Sequence, residues 1–237
     1  MFFSDIAGFT EITDIIEPET LSSLLNEYLT VMSDTAVKYG GTIDKFIGDA
    51  VVIFFGDPEY RDDETHAKQC IRMAVEMLGR IKDLSVKWSD AGAPNGLGVR
   101  MGINSGYCTV GNFGSENRMD YTMIGSQVNI AARLEKVAER NSIYISEATY
   151  SLVRDIAMVD DSRTLHVKGV HFPIRVYKLL GLRDQADVVR SLFDRTESGF
   201  TMQSLAYDAA TATEEYRNGL ISMLEDALRY LRNDRTT

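Results

Sequence analysis

Residues 42–55, with the sequence TIDKFIGDAVVIFF, contain two strand-like stretches around a short turn. Residues 42–46 and 50–55 are rich in apolar and β-branched residues, and Ile47, Gly48 and Asp49 separate them. This pattern predicts two antiparallel strands joined by a tight turn. A further strand is predicted close to the start of the chain, within residues 3–10, FSDIAGFT.

Helical patterns lie on both sides of this hairpin. A proline near the start and leucines at helical spacing predict a helix over residues 18–39, which Gly40 and Gly41 end. A second apolar stripe predicts a long helix over residues 63–89. Strands alternating with helices indicate an α+β layer, with one sheet and helices on one face of it.

The rest of the chain continues this alternation. We expect a second hairpin from residues 99–103 and 107–111, and then a strand, a helix, a strand, a helix and a closing strand, at 121–124, 126–138, 143–145, 146–153 and 173–180. From Arg183 onward the character changes. One amphipathic helix is predicted there from the spacing of Tyr216, Leu220, Leu224, Ala227, Leu228 and Leu231. The predicted domains are therefore residues 1–182 and a C-terminal helical extension, 183–237.

Two aspartates, Asp5 and Asp49, each lie in a short apolar stretch that also contains a glycine. Charged carboxylates are rare inside strand-like runs unless something compensates their charge. A divalent cation is the obvious compensation, because magnesium prefers carboxylate oxygens. Two such carboxylates brought together could hold two metal ions, as in-line phosphoryl chemistry requires.

Composition excludes several classes of function. The net charge of −10 argues against a nucleic-acid partner, which would need a basic face. The longest apolar run, residues 50–55, is far shorter than the roughly 20 residues that span a bilayer, so we expect no membrane contact by this segment. The two cysteines, Cys70 and Cys108, suggest no disulfide framework, and a cytoplasmic location is expected. Only four residues precede Asp5, so we expect an excised catalytic segment and leave open an upstream regulatory or membrane region.

Several ordered motifs together resemble the class III nucleotidyl cyclase catalytic domain, and in particular the bacterial adenylate cyclases that carry a threonine in base recognition. The matching stretches are FSDIAGFT at 3–10, DKFIGDAVV at 44–52, VRMGINSG at 99–106, VGNFGSENRMDYTMIGSQVNIAARLE at 110–135 and VKGV at 167–170. The resemblance covers about residues 1–180. It implies a ferredoxin-like βαββαβ core with a mixed, mostly antiparallel sheet, and the conversion of a nucleoside triphosphate to a cyclic nucleotide and pyrophosphate.

The resemblance also implies roles for individual residues. Metal binding falls to Asp5, Ile6 and Asp49, which would hold two divalent ions, Mg²⁺ or Mn²⁺, per site. Catalytic roles fall to a ribose-orienting Asn129 and a transition-state Arg133, four residues apart on one helix face. The triphosphate would be bound by residues including Phe9, Thr10, Arg100 and Lys168.

Base recognition is assigned to Lys45 and Thr122. Adenine N1 is an acceptor and suits a lysine donor, whereas guanine N1 carries a hydrogen and suits a carboxylate. The Thr122 hydroxyl can accept from the adenine 6-amino group, but a hydroxyl can also donate, which leaves room for relaxed base choice. ATP is thus the expected substrate, and cyclic AMP the expected product.

In the resembled architecture the sites lie between two subunits. Asp5, Asp49 and Arg100 come from one chain, and the other supplies Lys45, Thr122, Asn129, Arg133 and Lys168. This chain carries both sets, so a homodimer with two equivalent sites is expected. Two alternatives remain open: a guanylate or mixed-specificity cyclase, and a catalytically silent nucleotide-binding regulatory domain.

Overall fold

The computed structural model describes residues 1–160, 162–165, 173–183, 193–196 and 199–202, and the single positions 217, 220, 221, 224, 225, 227, 228 and 231. The chain divides into two compact units, Met1–Gly181 and Leu182–Thr237. No helix among these residues is both long enough and apolar enough to cross a membrane.

The first unit begins with a βαββαβ core. Its strands are β1 (Phe2–Ile6), β2 (Thr42–Ile47), β3 (Ala50–Phe54) and β4 (Val99–Ile103). Its long helices are α2 (Pro18–Lys38) and α3 (Asp63–Asp90), and a short helix, α1 (Phe9–Thr13), follows β1. The strands lie in the order β2-β3-β1-β4 and are mutually antiparallel, which confirms the predicted ferredoxin-like core.

The remaining elements extend this core. They are β5 (Thr109–Ser115), β6 (Arg118–Ile124), α4 (Ser126–Val137), β7 (Ser142–Ser146), α5 (Glu147–Val153), β8 (Ala157–Val159), β9 (Arg163–Leu165) and β10 (Ile174–Leu182). β7 adds to β4 in parallel, β10 follows it antiparallel, and β8 and β9 both pair with β10. The sheet is therefore mixed and mostly antiparallel, as the sequence predicts.

The ends of the two core helices follow from local sequence. Pro18 occupies the first turn of α2, and the Glu17 carboxylate accepts hydrogen bonds from the backbone N–H groups of residues 19 and 20. Asp62 caps α3 by accepting from the N–H of Thr65. These caps satisfy donors that have no partner inside a helix, so both helices begin where the sequence predicts.

The prediction that residues 99–103 and 107–111 form a second hairpin is wrong. β4 does not pair with the following strand, because β1 and β7 already occupy its two edges. Instead β5 pairs with β6 in a separate two-stranded sheet. This β5–β6 hairpin packs through Val110 and Met123 against Val52 and Phe54 of β3.

Both faces of the sheet are covered. α2 and α3 pack against each other and on the face to which Val99, Met101 and Ile103 point, all of which are buried. α4, outside the core, lies against the opposite face at Gly102, where an added Cβ would be 2.2 Å from the Glu135 nitrogen. Gly102 therefore allows the close approach that places α4. The main core lies between the sheet and α2 and α3, and its largest buried side chains include Phe2, Tyr28, Met32, Ile53, Ile71, Met77 and Trp88.

The second unit contains β11 (Phe193–Thr196) and β12 (Gly199–Met202), which pair antiparallel. The single described positions between 217 and 231 are helical. Among them, Leu220 and Ala227 are buried, whereas Leu224, Leu228 and Leu231 are half exposed. Tyr216 of the predicted amphipathic helix lies outside the described residues.

Candidate active site

One polar cluster lies where β1 ends and where the β2–β3 turn begins. Asp49 follows Gly48, whose φ of 64° belongs to the left-handed region that favours glycine. The Asp49 carboxylate accepts a hydrogen bond of 2.9 Å from the backbone N–H of Ile6. Asp5 lies opposite Arg100 across the β1–β4 pair, and the Arg100 guanidinium donates to its carboxylate at 2.6 Å. The fold thus brings together Asp5, Ile6, Asp49 and Arg100, as predicted from sequence.

The electrostatics of this cluster favour a cation. Burial raises the pKa of Asp49 to about 7, and the neighbouring Asp5 carboxylate contributes to the same shift through a hydrogen bond and through its charge. Two carboxylates that share a proton in this way can bind a divalent ion in its place. No group of three or more His, Cys, Asp or Glu side chains among the described residues could hold a metal. Two carboxylates nevertheless fit magnesium, which proteins commonly bind through one or two carboxylates together with substrate phosphates.

Glu135 of α4 belongs to the same cluster, although it was not among the residues predicted from the sequence. The residue is 5% exposed, and its Oε1 atom has no hydrogen-bond partner among the described residues. The Arg100 Nε atom lies 3.5 Å from that oxygen. Burial and, to a smaller extent, the charge of Asp5 raise the pKa of Glu135 to about 7, while Arg100 opposes the shift. A signal was present in the sequence, because Glu135 occupies a position of the apolar stripe formed by Ala131, Leu134 and Ala138.

A second polar cluster lies where β2 contacts β6. The Thr122 hydroxyl on β6 donates a hydrogen bond of 2.9 Å to Oδ2 of Asp44 on β2. The Lys45 ammonium lies 3.8 Å from the other oxygen, Oδ1. The fold therefore brings together Lys45 and Thr122, the two residues predicted to recognise the base. Asp44 lies between them and was not predicted. Two adjacent charged residues in a strand, Asp44 and Lys45, do not indicate which of them is buried.

The two predicted catalytic residues lie on the outer side of α4. Asn129 is exposed and Arg133 is half-buried. The Arg133 side chain makes no hydrogen bond or ion pair with any described residue. Positions two apart on a helix differ by about 200° in direction, so Arg133 points away from the side on which Glu135 meets Asp5 and Arg100. The chain does not bring its own Arg133 into its own aspartate cluster.

Three predicted triphosphate contacts remain. Phe9 and Thr10 form the first turn of α1, after Gly8 with a φ of 77°. Backbone N–H groups in a first turn have no partner within the helix and stay available to an acceptor. Lys168 lies outside the described residues.

With this geometry in place, comparison with known proteins identifies the family. The model of the adenylate and guanylate cyclase catalytic domain matches residues 1–181. The chain therefore belongs to this family, and it is a class III nucleotide cyclase domain. The resemblance predicted from the motifs is confirmed.

Individual relatives include both kinds of cyclase. Adenylate cyclase 1 of Rhizobium meliloti is 30% identical over 199 residues, which cover 83% of this chain and 28% of that protein. The chain thus spans less than a third of the length of this curated relative. Among solved structures, the adenylyl cyclase CyaB from P. aeruginosa is 49% identical with a TM-score of 0.73, covering 76% of this chain and 91% of the other. The guanylyl cyclase Cya2 is 34% identical with a TM-score of 0.72, covering 76% and 90%.

Proposed function

We propose that this domain is an adenylate cyclase, which converts ATP to 3′,5′-cyclic AMP and pyrophosphate. The observation that carries the proposal is the cluster of Lys45, Asp44 and Thr122. It offers a cationic donor for adenine N1 beside a hydroxyl for the 6-amino group. The N1 atom of guanine carries a hydrogen, so it cannot accept a hydrogen bond from the lysine.

The aspartate cluster supports the chemistry of ring closure. Asp5, Asp49 and the Ile6 backbone would hold two divalent ions, Mg²⁺ or Mn²⁺. When bound, such ions lower the pKa of the ribose 3′-hydroxyl and offset the charge of the leaving pyrophosphate. Arg100 is ion-paired with Asp5, so it lies where it can also bind the triphosphate. The N–H groups of Phe9 and Thr10, and Lys168, are proposed to bind the same phosphates.

Arg133 and Asn129 are proposed to act on the substrate of a partner subunit. Asn129 would orient the ribose, and the planar guanidinium of Arg133 would stabilise charge that develops at the α-phosphate. Their outward direction on α4, away from the chain's own Asp5, supports a site shared between two chains.

Exposed apolar side chains support the same dimer. β2 and β6 contact each other, and between them they expose Phe46, Ile47, Met119, Tyr121 and Ile124, each by 44–60%. Large apolar side chains left open on neighbouring elements are typical of a surface that another chain covers. In a twofold dimer each chain would supply one half of both sites.

A second candidate is a guanylate or mixed-specificity cyclase. The observation that favours it is the 34% identity to the guanylyl cyclase Cya2, with nearly the same fold similarity as to CyaB. The third candidate, a silent regulatory domain, is disfavoured because Asp5, Asp49 and Arg133 are all present. Loss of one of these residues is what would be expected of such a domain.

The first experiment is to incubate the purified chain with manganese and either ATP or GTP, and to identify the products by mass. Cyclic AMP from ATP, with little product from GTP, would support the proposal. Cyclic GMP in comparable amount would favour mixed specificity. No cyclic product from a dimer verified by sedimentation would favour the silent domain, and an Asp49→Ala chain serves as the inactive control.

A complementation experiment tests the shared site. Asp49→Ala and Arg133→Ala chains should each be inactive, because each damages both sites of its own homodimer. Mixed dimers of the two contain one intact site, so partial activity should return on mixing. Continued inactivity of a mixture in which heterodimers are demonstrated would rule out sites shared in this way.

A further inference from the structure

We propose that Asp44 determines base choice, by fixing the hydroxyl of Thr122 as a hydrogen-bond acceptor. This inference rests on the proposed function, because it assigns a positioning residue to the base-recognition pair. Asp44 itself is not proposed to touch the substrate. It acts through the hydroxyl of Thr122.

The local backbone brings Asp44 into the cluster. The β2–β3 register passes from Ile43 opposite Ile53 to Lys45 opposite Val52, so Asp44 is the extra residue of a β-bulge. Neighbouring residues of a regular strand point to opposite faces. Here the bulge leaves the charged groups of Asp44 and Lys45 only 3.8 Å apart. A bulge of this kind redirects a side chain without ending the strand.

Burial makes the hydrogen bond to Thr122 directional. The Asp44 side chain is 4% exposed and Thr122 is 8% exposed, so water competes little for either group. A carboxylate can only accept, and a hydroxyl has one hydrogen to donate. The Thr122 hydrogen is committed to Asp44 Oδ2 at 2.9 Å. Only a lone pair of the Thr122 oxygen is then available to a ligand.

This polarity distinguishes the two purines. The 6-amino group of adenine can donate to the Thr122 lone pair. Guanine carries an oxygen at the same position, and that oxygen would face a lone pair with no hydrogen between them. The other oxygen of Asp44, Oδ1, is buried, has no hydrogen-bond partner in the part of the chain that the structure describes, and lies 3.8 Å from the Lys45 ammonium. The hydrogen bond to Oδ2 is therefore the contact through which Asp44 acts on base choice.

Replacement by asparagine reverses the polarity. In an Asp44→Asn chain the new amide can donate to the Thr122 oxygen, which frees the threonine hydrogen to donate to guanine O6. We expect the ratio of kcat/KM for ATP to that for GTP to fall by about 10-fold or more, since one hydrogen bond changes from matched to mismatched. A residue with a purely structural role would lower both values together and leave the ratio unchanged.

The test compares four variants with the unaltered chain, using ATP and GTP as substrates. Asp44→Asn should lower the ratio, and Thr122→Val should lower it as well. The double variant should match Thr122→Val alone, because Asp44 acts on base choice through the hydroxyl that valine lacks. Asp57→Asn is the matched control. Asp57 accepts a hydrogen bond from the hydroxyl of Tyr121, the neighbour of Thr122 on β6. Replacing Asp57 should not change the ratio of kcat/KM for ATP to that for GTP.

An unchanged ratio in Asp44→Asn would overturn the inference, as would an effect of Asp44→Asn that persists in full in the double variant. If the melting curve shows that Asp44→Asn does not fold, the test is the kcat/KM of Thr122→Val for ATP and GTP. GTP use should then rise when the repelling lone pair is removed, whereas a fall would mean that the threonine donates to guanine. Absence of any cyclic product from the unaltered chain is a different result, since it refutes the proposed function.

Discussion

Replacing Glu135 with glutamine is expected to stabilise the metal-free protein at alkaline pH and to leave it nearly unchanged at acidic pH. The Glu135 carboxyl is buried near Asp5, and one of its oxygens has no hydrogen bond among the described residues. Glutamine has nearly the same volume and no charge. The variant therefore removes the electrostatic cost of ionisation while it preserves the packing of α4.

The size of the effect follows from the pKa. Glu135 has an ordinary pKa of 4.5 and a folded-state pKa of about 7. Because the folded chain holds this proton more tightly than the unfolded chain, the associated stability is fully present below pH 4.5 and is lost as the pH rises to about 7. One pKa unit corresponds to about 1.4 kcal/mol, so ionisation of Glu135 costs the folded state about 3 kcal/mol. For a chain of this size that is equivalent to about 5–10 °C in melting temperature.

The assay is urea and thermal unfolding of both chains in the presence of a chelator, at about pH 5 and about pH 8. The difference in free energy of unfolding between variant and unaltered chain should be about 1–3 kcal/mol larger at the higher pH. Glu116→Gln, at an exposed position of the β5–β6 turn, is the control and should give no such difference. Sedimentation at each pH verifies that both chains are compared in the same oligomeric state.

A different outcome would refute this reasoning. If Glu135→Gln destabilised the protein equally at both pH values, the ion pair with Arg100 and the packing of α4 would outweigh the burial of the charge. The variant is also expected to bind Mn²⁺ more weakly than the unaltered chain, because it removes a negative charge beside the aspartates. Stability and metal binding should therefore change in opposite directions.

Three further predictions concern the packing of α4, the aspartate cluster and the base-recognition pair. Gly102→Ala should lower the free energy of unfolding by about 2–3 kcal/mol in urea titrations, because its Cβ would lie 2.4 Å from the Ala131 carbonyl oxygen; Gly79→Ala on α3, with nothing within 4 Å, should instead be neutral or stabilising. The affinity for Mn²⁺ should rise with pH up to about 7 and then level off, because the cation displaces a proton from Asp49; calorimetry in two buffers with different ionisation enthalpies would detect the released proton. Lys45→Glu should lower kcat/KM for ATP at least about 10-fold yet give little GTP activity, because the Asp44 carboxylate lies beside the new charge, and adding Asp44→Asn should increase GTP turnover.

Local patterns in the sequence were sufficient to predict most of the fold. α2, α3 and the β2–β3 hairpin were predicted to within about two residues, because each is determined by its own periodicity and its own capping or turn residues. The partner of β4 could not be predicted in this way. Whether a strand pairs with its neighbour in sequence depends on which of its edges are free. Both edges of β4 are paired, one with β1 and the other with β7. The short elements α1, β8 and β9, and the β11–β12 pair inside the predicted helical extension, were also missed, since each is too brief to show a period.

The grouping of residues in the candidate site was predictable where a motif contained them, and not where a residue acts only through its neighbours in the fold. Asp5, Asp49 and Arg100 were expected together, and the fold joins them through the β1–β4 pair and the β2–β3 turn. Asp44 was recognised only from the fold, and the one sequence signal for Glu135 was its position in the apolar stripe of α4. The contact of Asp44 with Thr122 depends on a bulge in β2 that no local pattern indicates. The contact of Glu135 with Arg100 depends on how α4 packs on the sheet, which is determined by Gly102 of β4.

The position of α4 has a consequence for both halves of the proposed site. On its inner side, Ala131 and Leu134 are buried and Glu135 meets Arg100, which is paired with the chain's own Asp5. On its outer side, Arg133 is directed away and is proposed to serve the partner's substrate. A single rigid helix would then couple one chain's metal-binding aspartates to the other site's transition-state arginine. Any displacement of α4, such as the one that a Cβ at position 102 would impose, should impair both active sites of the proposed dimer even when only one chain carries the change.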